Sequence, residues 1–323
     1  MDDTDDYRMV TIDSLLRGSL ADRGGDLVLT LDPAFQGLPD TAHGGSVLAA
    51  FDAFAGLLGP REISGAYLRR VPLATPLRLA RGRVDGAHTF VLSEDDVVLV
   101  DGRVAPAAAA QAGGGPGPLR DPLLLRGTGR NAPSRSGAGS VASVVEKGPR
   151  PAADTAHPLP ISRTCFACGV DNPLGMRVQL EFDDAEVRGA WRPRAAFQTS
   201  DGALATAAVT TLLDEAAFWL GALATGESGM TTDLAVTLHA RLPFGAALTV
   251  RGARAAVRRR PDDGRYWDTE VVAATEDGRS VAAARITFVA VRGAARRLLG
   301  GLLAMNDPAL LRRVFPSYVR AGA

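Results

Sequence analysis

FQGLPDTAHGGSVLAAFD, Phe35 to Asp52, decides the fold, because the chain carries a second version of it, FQTSDGALATAAVTTLLDE, Phe197 to Glu215. In both, Phe-Gln leads into a loop of small residues and then into an apolar run that carries an Asp. The Asp follows the Phe by seventeen positions in each copy (35 to 52, 197 to 214). Self-similarity of this kind is the mark of a tandem repeat. The copies keep different chemistry. His43-Gly44-Gly45 stands where the second copy has Ala205-Thr206-Ala207, and Leu213-Asp214-Glu215 stands where the first has Phe51-Asp52-Ala53.

Around each copy the same order of elements is expected. Val47, Leu48, Phe51, Phe54, Ala55 and Leu58 recur at helical spacing from Gly45 to Leu58, and the run is apolar almost all round, so it reads as a buried helix stopped by Gly59-Pro60. A strand at Leu27–Leu31 precedes it. Strands at Glu62–Val71, Pro76–Val84, His88–Leu92 and Val97–Val104 follow, divided by short turns such as Asp85-Gly86. In the second half a hairpin (Val178–Phe182, Val187–Trp191) precedes a buried helix over Leu204–Leu223. Strands at Thr231–Leu242, Ala247–Val257, Tyr266–Thr275 and Val281–Val291 follow. One long helix wrapped by an antiparallel sheet, twice over, is an α+β architecture.

The expected organisation is therefore residues 1–105 as a first domain, 106–160 as an Ala-, Gly-, Pro- and Ser-rich linker with a short ordered piece at Leu123-Leu124-Leu125, and 161–291 as a second domain. A basic tail, 292–323, has no role assigned by its sequence. At 323 residues there is room for two full cores. With 36 basic and 36 acidic residues the net charge is zero, which gives no reason to expect nucleic acid or a membrane surface as partner. No apolar run approaches the roughly 20 residues of a membrane span. The acidic start, MDDTDDYRMV, lacks a secretory leader, and two cysteines are no disulfide framework, so a reducing cytoplasm is expected.

These residues resemble the PaaI-like group of hotdog-fold acyl-CoA thioesterases. Cys165-Phe-Ala-Cys-Gly-Val-Asp-Asn-Pro-Leu-Gly-Met176, Phe197-Gln198 and Leu212-Leu-Asp-Glu-Ala216 match the family pattern in the second half. Phe35-Gln-Gly37, His43-Gly-Gly45 and Asp52 match it in the first. Tyr67-Leu-Arg-Arg-Val-Pro72 and Leu238-His-Ala-Arg-Leu-Pro243 are similar to its third block. The resemblance covers both domains but neither linker nor tail, and the chain departs from it at Gly37, where some relatives carry Asn. It implies two hotdog domains paired within one chain as a pseudo-dimer, with sites between them. The substrate it implies is an acyl-CoA or acyl-carrier-protein thioester, with no cofactor. Pairing of two chains into a four-domain particle is left open.

In that family a backbone N–H at the start of the buried helix stabilises the thioester oxyanion, while a carboxylate from across the interface activates water or attacks directly. Here the resemblance implies one composite site: Gly44 as oxyanion donor, Asp214 as the carboxylate, and Thr232 as the hydroxyl that orients water or carboxylate. His43 would shape the loop, with Gly45, Gln36 and Glu215 at the substrate and Phe218 and Trp219 walling the acyl tunnel. The mate of this site would combine Thr206 with Asp52. Counting back eleven positions from the shared Pro gives Thr232 in one half and Arg61 in the other (243 to 232, 72 to 61). Thr206 would crowd a thioester and Arg61 is placed to pair with Asp52, so the mate is expected to be inactive or put to another use.

Other readings stand beside these. Gly44 and Gly45 also serve as plain loop and helix-start glycines, and Asp214 and Glu215 as members of an inter-domain salt bridge. Cys165 and Cys168 have zinc-knuckle spacing, but no second CxxC follows and only His157 and His239 offer further nitrogens, so no metal is expected. Arg258-Arg259-Arg260 could meet a coenzyme A phosphate or simply face water. A non-catalytic acyl-CoA-binding or scaffold protein is the rival function. A hotdog hydratase ranks last, because that class places a catalytic Asp and His close together on its own loop-helix segment, and the pattern around His43 lacks that acidic partner.

Overall fold

The computed structural model describes residues 10–24, 26–107 and 156–319. A short helix, α1 (Ile12–Gly18), opens the chain, and its Thr11 makes a capping box with Ser14. The first-half strands are β1 (Leu20–Arg23), β2 (Asp26–Leu29), β3 (Arg61–Tyr67), β4 (Leu77–Val84), β5 (Ala87–Glu94) and β6 (Val97–Pro106). They wrap α2 (Gly44–Ala55). The second half has β7 (His157–Pro158), β8 (Glu181–Phe182), β9 (Glu186–Trp191), β10 (Gly229–Leu238), β11 (Leu248–Ala253), β12 (Arg258–Arg259), β13 (Tyr266–Thr275) and β14 (Ser280–Ala290) around α3 (Thr206–Thr225). Two further helices, α4 (Ala294–Leu302) and α5 (Pro308–Val314), close the described chain.

All fourteen strands form one antiparallel sheet in the order β1-β2-β4-β5-β6-β3-β10-β14-β13-β11-β9-β8-β7, with β12 on β13. Read outward from the β3–β10 seam, the two halves repeat the same order. β6 answers β14, β5 answers β13, β4 answers β11, and β2 answers β9. At the seam Ala235 pairs with Ser64, in the middle of the run from Asp233–Ala66 to Leu238–Arg61. The chain is thus a pair of hotdog units sharing one sheet. Each unit packs its helix against the sheet: Val47, Leu48 and Phe51 of α2 are fully inaccessible, and Phe54 is half-buried against the same core. Phe51 stacks on Phe90 of β5 at 4.9 Å between ring centres.

The elements match the sequence reading closely, with three differences. Helix α2 stops at Gly56, not at Gly59-Pro60, because Gly56 takes the left-handed conformation (φ 64°) and its N–H returns to Asp52 O; Gly226 ends α3 in the same way. The predicted strand Val178–Phe182 shrinks to two residues. Helix α3 runs for 20 residues and is long and apolar enough to cross a membrane, contrary to the expectation of no such run. Its average stays apolar despite Asp214 and Glu215, and 83% of the qualifying window is buried within the protein. Residues 108–155 of the expected linker, with Leu123–Leu125, lie outside the described residues.

The tail, for which the sequence assigns no role, belongs to the core. Phe315 is fully buried against Trp219 of α3 (6.5 Å between rings), and Leu299, Leu302, Leu311 and Val314 are buried with it. Glu227, just past α3, fastens this segment: its carboxylate accepts from the N–H groups of Gly293 and Ala295 and from the Tyr318 hydroxyl. Burial would raise the Glu227 carboxyl, but these donors hold it below its ordinary value. Phe315→Ala is expected to cost about 3–5 kcal/mol in urea unfolding, the range for emptying a packed aromatic site; a loss under about 1 kcal/mol would mean that the tail is not part of the cooperative core.

Candidate functional site

The two helices meet where α2 begins. Gly45 lies so close to α3 that a Cβ there would stand 2.5 Å from the Thr211 nitrogen and 2.6 Å from the Thr210 carbonyl. The Thr210 hydroxyl donates to Gly45 O at 2.7 Å, stitching the two helices together. Gly45 is therefore a packing glycine, buried between helices, rather than the substrate contact expected of it. That close approach sets Asp214 of α3 against the N-terminus of α2. The Gly45 N–H donates to Asp214 Oδ2 at 3.0 Å, and a Cβ on Gly44 would stand 2.8 Å from that oxygen.

His43 is the N-cap of α2. Its Nδ1 lies 3.1 Å from Asp214 Oδ2 and its Nε2 lies 3.5 Å from Glu215 Oε2. Burial alone would lower the imidazole, but hydrogen bonds to the two carboxylates outweigh it and hold its pKa well above the usual value. Asp214 is pulled the other way from burial. His43, Thr231 and the Gly45 N–H keep its carboxyl below the ordinary carboxylate range. Glu215 Oε1 also accepts from the Trp219 indole at 2.9 Å. The Gly44 N–H has no acceptor among the described residues. It sits at the positive end of the helix dipole. The Gly44 carbonyl accepts from the Tyr67 hydroxyl at 2.6 Å.

The hydroxyl on Asp214 is one position from the expected one. Thr231 donates to Asp214 Oδ1 at 2.7 Å, whereas Thr232 bonds the Thr287 carbonyl. A bulge in β10 between Thr231 and Asp233 inserts a residue that counting from Pro243 cannot register, and it turns Thr232 off Asp214. Gln36 also differs: its amide reaches Thr164 at 2.5 Å and it does not face the cavity. The rest converge. A cavity of about 800 Å³ spans both halves and is lined by His43, Gly44, Asp214, Glu215, Thr231 and Thr232, with Phe218 and Trp219 along one wall. Leu298 and Leu302 of the tail complete it, and Arg260, alone of the three consecutive arginines, reaches it.

Tyr67 and the Cys165–Cys168 loop were missed as members of this site. Both had a signal, since each lies in one of the motif blocks already quoted. Phe166 seats the loop: its ring packs between Phe35 and Phe197, the leading residues of the two repeats, at 5.1 and 5.8 Å. That brings Cys165 and Cys168 to the cavity wall beside His43. Neither His157, whose ring packs on Phe182, nor His239, just past β10, lines this cavity.

The mate of this site is closed by a salt bridge. Arg61 holds both oxygens of Asp52, at 2.5 and 2.7 Å, and the Thr206 hydroxyl donates to the same carboxylate at 2.7 Å. Arg61 also donates to Thr206 Oγ1 and to the Gly59 carbonyl. Both charged side chains are at most one-tenth exposed.

No protein-family model and no curated protein matches the chain. Solved structures do. A protein of Thermobifida fusca, provisionally described as a thioesterase II, is 18% identical, with a TM-score of 0.53 over 88% of this chain and 99% of its own. A conserved protein of unknown function with the hot dog fold, from Alicyclobacillus acidocaldarius, is 14% identical, with a TM-score of 0.51 over 87% and 97%. The tesB protein of Mycobacterium avium subs paratuberculosis is 15% identical, with a TM-score of 0.50 over 87% and 98%. Over most of its length this chain is similar in fold to these proteins: it has the hotdog fold.

Two outcomes follow from the contrast between the sites. Asp52→Ala, which strands a buried guanidinium, should cost about 3–5 kcal/mol in stability, with ligand binding in the large cavity intact. Gly45→Ala forces the helices apart and should cost about 1–3 kcal/mol while weakening binding in that cavity; unfolding midpoints and calorimetric titration separate the two effects.

Proposed function

We propose that the chain is a thioester hydrolase that cleaves an acyl-CoA or acyl-carrier-protein thioester at one composite site between its two halves. The observation that carries this reading is the Gly44 N–H, without an acceptor among the described residues, beside the ionised Asp214 in the lining of a large, largely apolar-walled cavity. A thioester carbonyl placed there would receive the Gly44 N–H on its oxygen. The helix dipole and this fixed donor oppose the negative charge that develops in the tetrahedral intermediate, a contribution typically of about 3–4 kcal/mol. Asp214 then supplies the attack, either by drawing a proton from water or by bonding directly to the carbonyl carbon. Because its carboxyl is held low, it is ionised at neutral pH and ready for either role. Thr231 fixes one oxygen of the carboxylate and Tyr67 fixes the Gly44 peptide. Phe218 and Trp219 supply apolar surface for the acyl chain.

The site as proposed acts within one chain, with residues 1–105 and 161–291 as the two units, 106–160 as their linker and 292–323 as a tail that also walls the cavity. PaaI-like membership, a cytoplasmic setting and pairing of two chains belong to the same proposal. The rival, an acyl-CoA-binding protein without turnover, has one observation in its favour: Asp214 already accepts from His43, Gly45 and Thr231. Thiol release from a panel of acyl-CoAs, short aliphatic to aryl, separates the two. Asp214→Asn should lower kcat/KM by roughly 100- to 10,000-fold with the fold retained; turnover unchanged in that variant would sink the proposal, and tight binding with no thiol release from the unaltered chain would establish the rival.

A further inference from the structure

The Cys165–Cys168 loop presents two sulfurs to a histidine and a carboxylate that come from elsewhere in the chain. The loop is a tight turn: Gly169 N donates to the Cys165 carbonyl at 2.9 Å, and a Cβ at Gly169 would stand 2.2 Å from that oxygen. Both cysteines are free thiols and buried. Ligand-capable atoms of His43, Cys165 and Glu215, from three separate elements, lie within 4.8 Å of one another. Cys168, three residues on in the same turn, lines the same cavity, with its sulfur 3.9 Å from the Ser162 hydroxyl oxygen, and stands beside this trio as a fourth group. From spacing alone, His157 and His239 are the nitrogens expected beside the CxxC pair and no metal is expected; the fold brings His43 instead.

We propose that His43, Cys165, Cys168 and Glu215 bind one Zn²⁺. Two sulfurs, one nitrogen and one oxygen form the mixed, soft-weighted set that suits this ion in tetrahedral coordination. The imidazole is already oriented for it. Nδ1 lies 3.1 Å from Asp214 Oδ2, an acceptor for its proton, and Nε2 is the nitrogen turned toward Glu215. A carboxylate behind a ligating histidine is the usual outer contact of a zinc site. Binding displaces the two thiol protons and the Nε2 proton, and the ion takes over as the positive partner of Glu215. With four protein ligands the site is closed, so the ion pins the loop of one half to the helix start of the other and fixes His43, and through it Asp214. It has no open position for substrate. This inference rests on the ligand cluster and is independent of the thioester reading, because its test needs no turnover.

The test is the metal content of the full chain, purified without a histidine tag or chelator from zinc-supplemented cells. About one zinc per chain is expected. After chelation and cobalt addition, thiolate-to-cobalt charge-transfer absorption and tetrahedral d–d bands should appear. Cys165→Ser and Cys168→Ser should each cut bound metal roughly tenfold or more, and Asp214→Asn should weaken zinc affinity roughly 10- to 100-fold while leaving the cobalt spectrum in place. Should the serine variants fail to fold, the unaltered chain alone decides. Metal-free protein that takes up no cobalt would overturn the proposal, as would a Cys165–Cys168 disulfide in anaerobically prepared protein or full metal content in Cys165→Ser.

Discussion

The rest of the structure depends on how closely two helices approach. At Gly45 the backbone of α2 touches the backbone of α3, with no side chain between them, and Thr210 bonds across the gap. Only glycine permits that spacing. Were the helices a few ångströms further apart, Asp214 would not reach the N-terminus of α2, and a carboxylate on an apolar helix would be buried without donors, at a cost of several kcal/mol. Close contact turns that liability into a site. The carboxylate gains a backbone N–H, a hydroxyl and an imidazole, and the neighbouring Gly44 N–H is left without an acceptor among the described residues. Shape comes first here, and the electrostatics follow from it.

The same geometry, repeated by the internal pseudo-symmetry, serves a different end at the mate site. Thr206 replaces Gly44 at the helix start, Arg61 replaces Thr231 on the seam strand, and Asp52 keeps the position of Asp214. There the donors satisfy the carboxylate completely, and the helix N-terminus holds a hydroxyl that points back at it. One carboxylate faces a cavity and its counterpart serves as an internal tie. The difference lies in two neighbours rather than in the acid itself.

Much of this was legible in the residues. The repeat, the two buried helices and the order of strands follow from periodicity and turn chemistry, because local patterning and burial agree along nearly every element. The pairing of Arg61 with Asp52 was legible too, since a buried acid calls for a cation at strand distance. Three features were not. The β10 bulge shifts the register by one residue, and nothing in Thr231-Thr232-Asp233 distinguishes a bulged from a regular strand. Gln36 sits in a motif, yet its direction is set by Thr164, far along the chain. The tail is basic and partly apolar, with no pattern that assigns it a place, and only its fit against Trp219 shows Phe315 to be core. Each depends on contacts between segments that no local window contains.

The β3–β10 seam joins two units that belong to one polypeptide. In a dimer of identical subunits, any substitution at such a seam appears twice, once on each side of the axis, so both sites must change together. A covalent pair removes that coupling. Arg61 could arise beside Asp52 without an arginine arriving beside Asp214, and the cavity could enlarge on one side only. The fused chain thus has freedom that a symmetric assembly lacks: one of the two sites between the halves is able to specialise in holding the particle together while its mate keeps an open pocket.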